Sequence, residues 1–177
     1  MHCPFQISEN LFDCAHFGAY HFARRLVPSL HVVNAEGHMQ EEHRKPAPFT
    51  VLVVDDDEEM RALIRDVFKR AGLRVVEESD GKRAIATLEL QQVDAVILDK
   101  EMPGISGLDL LSFIRAKYAN TPVIVMTAFG GSSVEEESMR RGAHGYMEKP
   151  FKVGELLHMV GMLIGNRLSV GSPFDLK

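Results

Sequence analysis

The chain has 177 residues, enough for one domain of ordinary size with additional segments. Its 45% hydrophobic and 25% charged residues are a globular composition able to form a core, and the net charge of -5 argues against the clustered basic face that general nucleic-acid binding needs. No apolar run approaches the roughly 20 residues of a membrane-spanning helix. The N-terminus also lacks the basic start and continuous apolar core of a signal peptide, so a cytoplasmic protein is expected.

Residues 1–48 are expected to be an irregular or disordered segment and linker. Six of the 8 histidines fall there (His2, His16, His21, His31, His38 and His43), and the apolar residues keep no sustained period. Phe17 to Leu30 could form at most one or two amphipathic turns, interrupted by Pro28. Glu41 to Pro48 is polar and ends in prolines, as linkers do. A zinc site from Cys3, Cys14, His16 and His21 matches none of the usual spacings. Those are the only 2 cysteines, so no disulfide framework supports the rest. Ala35-Glu36-Gly37-His38 precedes Met39, and codons for Ala-Glu-Gly can spell a purine-rich ribosome-binding sequence. Met39 is therefore a candidate initiator and 1–38 a leader that is not translated; the competing reading is a real but irregular arm.

From Phe49 the pattern becomes regular, and 49–165 reads as one domain. Thr50 to Val54 is a β-branched apolar run ending at acids. Met60, Leu63, Ile64, Val67 and Phe68 follow at helical spacing, with Gly72 placed to end the helix. Leu73 to Val76 predicts a second strand, and Ala84, Ile85 and Leu88 a second helix. Val93 to Leu98 is almost wholly apolar, as a strand covered on both faces should be. Ser106-Gly107-Leu108-Asp109 resembles a capping box and opens a helix carried by Leu110, Leu111 and Ile114. A fourth strand is predicted at Pro122 to Met126, and a helix with little apolar surface at Ser133 to Arg141. A short strand follows at Gly145 to Met147, and the last helix carries Leu156, Leu157, Val160, Leu163 and Ile164. Five β-α units in succession predict one parallel sheet between helices. Residues 166–177 are a short tail, too short for an output domain.

In an open parallel sheet, ligands bind beyond the carboxyl ends of the strands. Asp55, Asp56, Asp99 and Thr127 all close apolar runs, and so fall on that edge. One such carboxylate alone would more often be a helix cap. Three facing one crevice would repel by about 4 kcal/mol per pair at about 4 Å and an effective dielectric near 20, so a positive group belongs among them. Hard oxygen ligands without His or Cys select Mg²⁺. Lys149, between the fifth strand and Pro150, offers a second positive charge suited to a carboxylate or phosphoryl oxygen, where the alternative is a surface lysine in a turn.

Val53-Val54-Asp55-Asp56-Asp57, Asp99-x-x-Met102-Pro103-Gly104, Met126-Thr127-Ala128 and Tyr146-x-x-Lys149-Pro150-Phe151 together resemble the receiver domain of bacterial two-component response regulators, over about residues 49–165. Each piece is weak alone, and the combination is specific. The resemblance implies an α/β, flavodoxin-like, doubly wound five-stranded parallel sheet of order 2-1-3-4-5 with five helices. It implies Asp99 as phosphoacceptor, Asp56 as a direct Mg²⁺ ligand, Asp55 as one acting mainly through water, and the Glu101 backbone carbonyl as a further ligand. Thr127, Lys149 and the backbone N–H of Ala128 would bind phosphoryl oxygens. Thr127 and Tyr146 would form the switch, and the Lys149-Pro150 bond is a candidate cis peptide. Glu101 and Phe129 would flank the path of the hydrolytic water, with the Phe129 ring as gate.

The expected activity is therefore phosphoryl transfer from a sensor histidine kinase or histidine phosphotransfer protein onto Asp99, aided by Mg²⁺. A downstream target protein would read the altered surface, with neither nucleic acid nor membrane as partner. A stand-alone receiver, a phosphoacceptor signalling protein and not an enzyme, with self-catalysed phosphorylation and dephosphorylation, is the leading reading. The rival is a Mg²⁺-dependent phosphohydrolase with an aspartyl-phosphate intermediate. Such enzymes carry the nucleophile on the first strand in an Asp-x-Asp motif, whereas Asp99-Lys100-Glu101 follows the third strand and lacks the second Asp. A DNA-binding regulator would need a recognition helix beyond Gly165.

Overall fold

The computed structural model describes residues 48–165 and the backbone of 29–33 and 39–43. Residues 48–165 alternate strand and helix throughout. They comprise β1 (Thr50–Val54), α1 (Glu58–Arg70), β2 (Arg74–Glu78), α2 (Gly81–Leu90) and β3 (Ala95–Asp99). The second half comprises α3 (Gly107–Lys117), β4 (Val123–Thr127), α4 (Ser132–Arg140), β5 (Gly145–Glu148) and α5 (Val153–Gly165). All adjacent strands are parallel, in the order β2-β1-β3-β4-β5. The order reverses between β1 and β3, and this opens a crevice at their carboxyl ends.

Every residue of β1, β3 and β4 is buried, so these strands carry apolar side chains on both faces. Val51, Val53, Ala95, Ile97, Ile124 and Met126 face Ile64 and Phe68 of α1 and Leu156, Val160 and Ile164 of α5. Their alternating neighbours Leu52, Val54, Val96, Leu98, Val123 and Val125 face Ala84 and Leu88 of α2 and Leu110, Leu111 and Ile114 of α3. The strand period of two thus splits one apolar run into two cores. α4 differs: its single buried residue is Ser138, whose hydroxyl donates to the Val134 carbonyl at 2.8 Å.

Helix starts follow the sequence. Asp57 accepts from the amides of Glu59 (2.9 Å) and Met60 (3.3 Å), Asp80 from Arg83, and Ser106 from Asp109. α1 ends through Gly72, whose φ of 82° suits glycine and whose N–H reaches the Lys69 carbonyl at 3.0 Å. β3 starts later than the apolar run. The Asp94 carboxylate accepts from the Thr50 amide at 2.7 Å while the Asp94 amide donates to the Thr50 carbonyl at 2.8 Å, and regular pairing begins at Ala95.

Within 1–47, a separate unit, Ser29–Val33 pairs antiparallel with Met39–His43. This departs from the expected irregular segment at those positions. Met39 is the first residue of the second of these strands. Cys3, Cys14, His16 and His21, whose spacing argued against a zinc site, lie outside the described residues, as do Phe17 to Pro28 and 166–177.

Candidate functional site

The carboxyl ends of β1, β3, β4 and β5 bring the sequence-predicted residues together. The Lys149 ammonium donates to Asp55 Oδ2 at 2.8 Å and to Asp99 Oδ1 at 2.7 Å, joining positions 94 and 50 residues apart in the chain. Asp55 is fully buried and Asp99 is 2% exposed. Asp55 Oδ1 also accepts the Asp57 amide at 2.9 Å, which locks its orientation as the chain turns into α1. The Lys149 backbone is held by the Thr127 carbonyl at 2.8 Å, and the Lys149-Pro150 peptide is cis.

Charge and burial oppose each other here. Burial pushes the Asp99 carboxyl up, the Lys149 bond pulls it down, and Asp55 and Glu101 add repulsion; the result is a pKa of about 6 in place of 3.8. Burial alone would lower the Lys149 pKa, but its bonds to Asp55 and Asp99 outweigh that and hold it above the usual lysine value. One ammonium between two buried carboxylates leaves excess negative charge.

Asp56 stands exposed at the mouth, and Asp55, Asp56 and Asp99 can each offer one oxygen with all three atoms within 4.8 Å of one another. These all-oxygen donors, with one member open to water, suit a hard divalent cation that keeps part of its hydration shell. The fit is chemical as well as geometric, because the deeper pair is buried and shares one ammonium, Lys149, between two carboxylates.

On the β4 side the Thr127 hydroxyl faces both oxygens of Glu101, at 2.9 and 2.8 Å, and accepts the Phe129 amide at 3.1 Å. The Ala128 amide donates to Glu101 Oε2 at 3.3 Å, and Lys100 Nζ to Glu101 Oε1 at 2.6 Å. Burial would raise the Glu101 pKa, but the bonds from Lys100 and Thr127 outweigh it and hold the carboxyl below its usual value. Of the two expected gate residues, only Glu101 reaches the pocket's polar groups. The Phe129 side is met through its backbone, and the residue is 74% exposed. The Tyr146 ring packs against the α2–α3 core, and its hydroxyl is buried with no hydrogen-bond partner of ordinary geometry among the described residues. Burial, with Glu148 nearby, pushes the Tyr146 pKa up.

Two further contributors escaped the sequence reading. Lys100 neutralises Glu101, and its only sequence signal was a basic residue between two acids. Gly107 opens α3 directly against the phosphoacceptor candidate: a Cβ there would lie 2.1 Å from the Asp99 carbonyl oxygen. The Pro103-Gly104-Ile105-Ser106-Gly107 spacing was the available clue.

The chain is a doubly wound α/β protein with an acidic pocket, a lysine and a threonine at the carboxyl edge of its sheet. The family model for the response regulator receiver domain matches residues 51–161, and the chain belongs to that family. The chain is 40% identical over 108 residues to the uncharacterized transcriptional regulatory protein YrkP of Bacillus subtilis. That match covers 61% of this chain and 46% of the relative, so the chain spans less than half of that protein's length. Sporulation initiation phosphotransferase F of Bacillus subtilis is 32% identical over 106 residues, covering 60% of this chain and 86% of that protein. Among solved structures, the receiver domain of the Francisella response regulator 1452 superposes with a TM-score of 0.64 at 31% identity, covering 67% of this chain and 98% of that one.

Proposed function

We propose that residues 48–165 accept a phosphoryl group on Asp99 from a histidine kinase or histidine phosphotransfer protein and signal through a change of their own surface. The observation carrying this reading is the Asp55–Lys149–Asp99 bridge, which presents a buried carboxylate at the switch point of the sheet. Asp99 Oδ1 is engaged by Lys149, and Oδ2 accepts no hydrogen bond among the described residues, so Oδ2 is the free nucleophile. It attacks phosphorus in line; the bond from phosphorus to the donor imidazole nitrogen breaks, and an acyl phosphate remains on Asp99. Lys149 lies beside the position where the new negative charge gathers. Thr127 and the Ala128 amide supply hydrogen bonds to the other phosphoryl oxygens.

Asp55, Asp56, Asp99 and the Glu101 carbonyl would hold Mg²⁺, which when bound offsets charge on the phosphoryl oxygens. Thr127 and Tyr146 form the switch. As the hydroxyl is drawn to the phosphoryl group, the neighbouring ring settles further inward and the α4–β5–α5 surface changes. α4 suits this role because no apolar residue of it belongs to either core, which leaves it at the low end of local stability. The surface so altered is read by a target protein, and the site acts in a cytoplasmic compartment.

The test is labelling by radiolabelled acetyl phosphate with Mg²⁺. Wild type is expected to incorporate label and Asp99→Asn none, since an amide is a far poorer nucleophile. Full labelling of Asp99→Asn would overturn the assignment.

A further inference from the structure

The groups assigned to the phosphoryl oxygens already hold an anion in this structure. Glu101 Oε2 lies 2.8 Å from Thr127 Oγ1 and 3.3 Å from the Ala128 amide, and Oε1 lies 2.9 Å from the same hydroxyl. One carboxylate oxygen, Oε2, thus meets both the hydroxyl and the backbone N–H, the two donors assigned to the phosphoryl group, while Oε1 lies against the same hydroxyl. The mimicry is one of chemistry: a planar anion with two strong acceptors takes the place of a tetrahedral one with three. Thr127 has a single proton to donate, so it cannot serve Glu101 and a phosphoryl oxygen at once.

We infer that Glu101 is a built-in occupant of the phosphoryl-oxygen sites, which an incoming phosphoryl group must displace. The inference rests on the phosphoacceptor reading above. Displacement has a ready route. The Glu101 side chain is 30% exposed and Lys100 Nζ holds its Oε1 at 2.6 Å, so the carboxylate can swing toward solvent on Lys100 without losing its counter-charge. Before transfer, Glu101 therefore sets a threshold against small phosphodonors. A histidine donor docked on the protein overcomes that threshold by effective concentration. Glu101 acts as a positioning and specificity-determining residue for the transfer, and its contact also keeps the Thr127 hydroxyl turned into the site.

The experiment measures the initial rate of labelling of the full chain by subsaturating acetyl phosphate and Mg²⁺. It compares wild type, Glu101→Ala, Glu101→Gln, Thr127→Ala, the Glu101→Ala/Thr127→Ala pair and Asp99→Asn. Glu101→Ala is expected to label about tenfold faster than wild type, a gain of about 1.4 kcal/mol in the barrier. Glu101→Gln keeps an acceptor without the charge and should fall between. In the Thr127→Ala background the gain from Glu101→Ala should shrink, because the occupant has lost its main donor.

A gain that persists undiminished in that background would identify simple repulsion between Glu101 and the anionic donor, and would overturn the inference. So would Asp99-dependent labelling of Glu101→Ala at or below the wild-type rate. Labelling that is absent or independent of Asp99 removes the phosphoacceptor reading and this inference with it. A readout without any donor separates the two: the Ala128 amide proton should move upfield and exchange faster with solvent in Glu101→Ala, and an unmoved resonance would overturn the contact itself.

Discussion

Asp99 is a carboxylate held where ionisation is unfavourable. Its pKa of about 6 against 3.8 means that the folded domain binds more protons than the unfolded chain across that window. For this group, stability is greatest at low pH and falls as pH rises from about 4 to about 6, with the whole cost present at neutral pH. Removing the charge should therefore stabilise the protein while abolishing its chemistry. Asp99→Asn is expected to gain up to about 3 kcal/mol in urea denaturation at pH 7.5 in metal-free buffer, from about 1.4 kcal/mol per pKa unit. The advantage should fade toward pH 4. A midpoint at pH 7.5 equal to or below that of wild type would show that the Lys149 bond already compensates the buried charge. Asp55, Asp99 and Lys149 could be picked out of the sequence because acids that close apolar runs, and a lysine between a strand and a proline, have no role in a core. The Glu101–Thr127 contact could not, because it depends on the rotamer of a loop side chain.

Gly107 shows how an element fixes a residue. α3 begins where the chain passes within van der Waals contact of the Asp99 carbonyl, and an added Cβ would also lie 2.7 Å from the Lys100 Cα. Both obstacles are backbone, so relief requires moving β3 or α3. Gly107→Ala is expected to cost about 2–3 kcal/mol in urea denaturation, the upper range for overpacking, and to slow labelling by shifting Asp99. Gly154→Ala, in α5 with nothing within 4 Å of the new Cβ, should instead stabilise by about 0.5–1 kcal/mol. Equal effects at the two positions would refute the close-approach argument. Element types could be read from the chain because β-branched runs and helical spacings alternate cleanly; the start of β3 could not, since it depends on Asp94 reaching across to β1. The 29–33/39–43 hairpin was equally hidden, for Met39-Gln40-Glu41-Glu42-His43 has no apolar alternation to mark a strand.

At the scale of the whole domain, one edge of the sheet gathers the site from four strands, while two cores hold those strands from opposite faces. Ligands at this edge therefore act on the spacing of β1 against β3, with β4 and β5 held through the Lys149 backbone and Thr127. A divalent cation binding Asp55, Asp56 and Asp99 would relieve repulsion that folding adds, because folding brings Asp99 within 4.8 Å of the adjacent pair Asp55 and Asp56. Whatever binds the native state and not the unfolded chain stabilises it by mass action, by about 2.7 kcal/mol at a hundred times the dissociation constant. Wild type should accordingly unfold at rising urea concentration as MgCl₂ is added at constant ionic strength, and NaCl at matched strength should do less. Asp56→Ala should lose most of the Mg²⁺ response with little change in its metal-free midpoint, since Asp56 is exposed and packs in neither core. Equal Mg²⁺ responses in wild type and Asp56→Ala would place the cation elsewhere, and no response in wild type would remove it from the site.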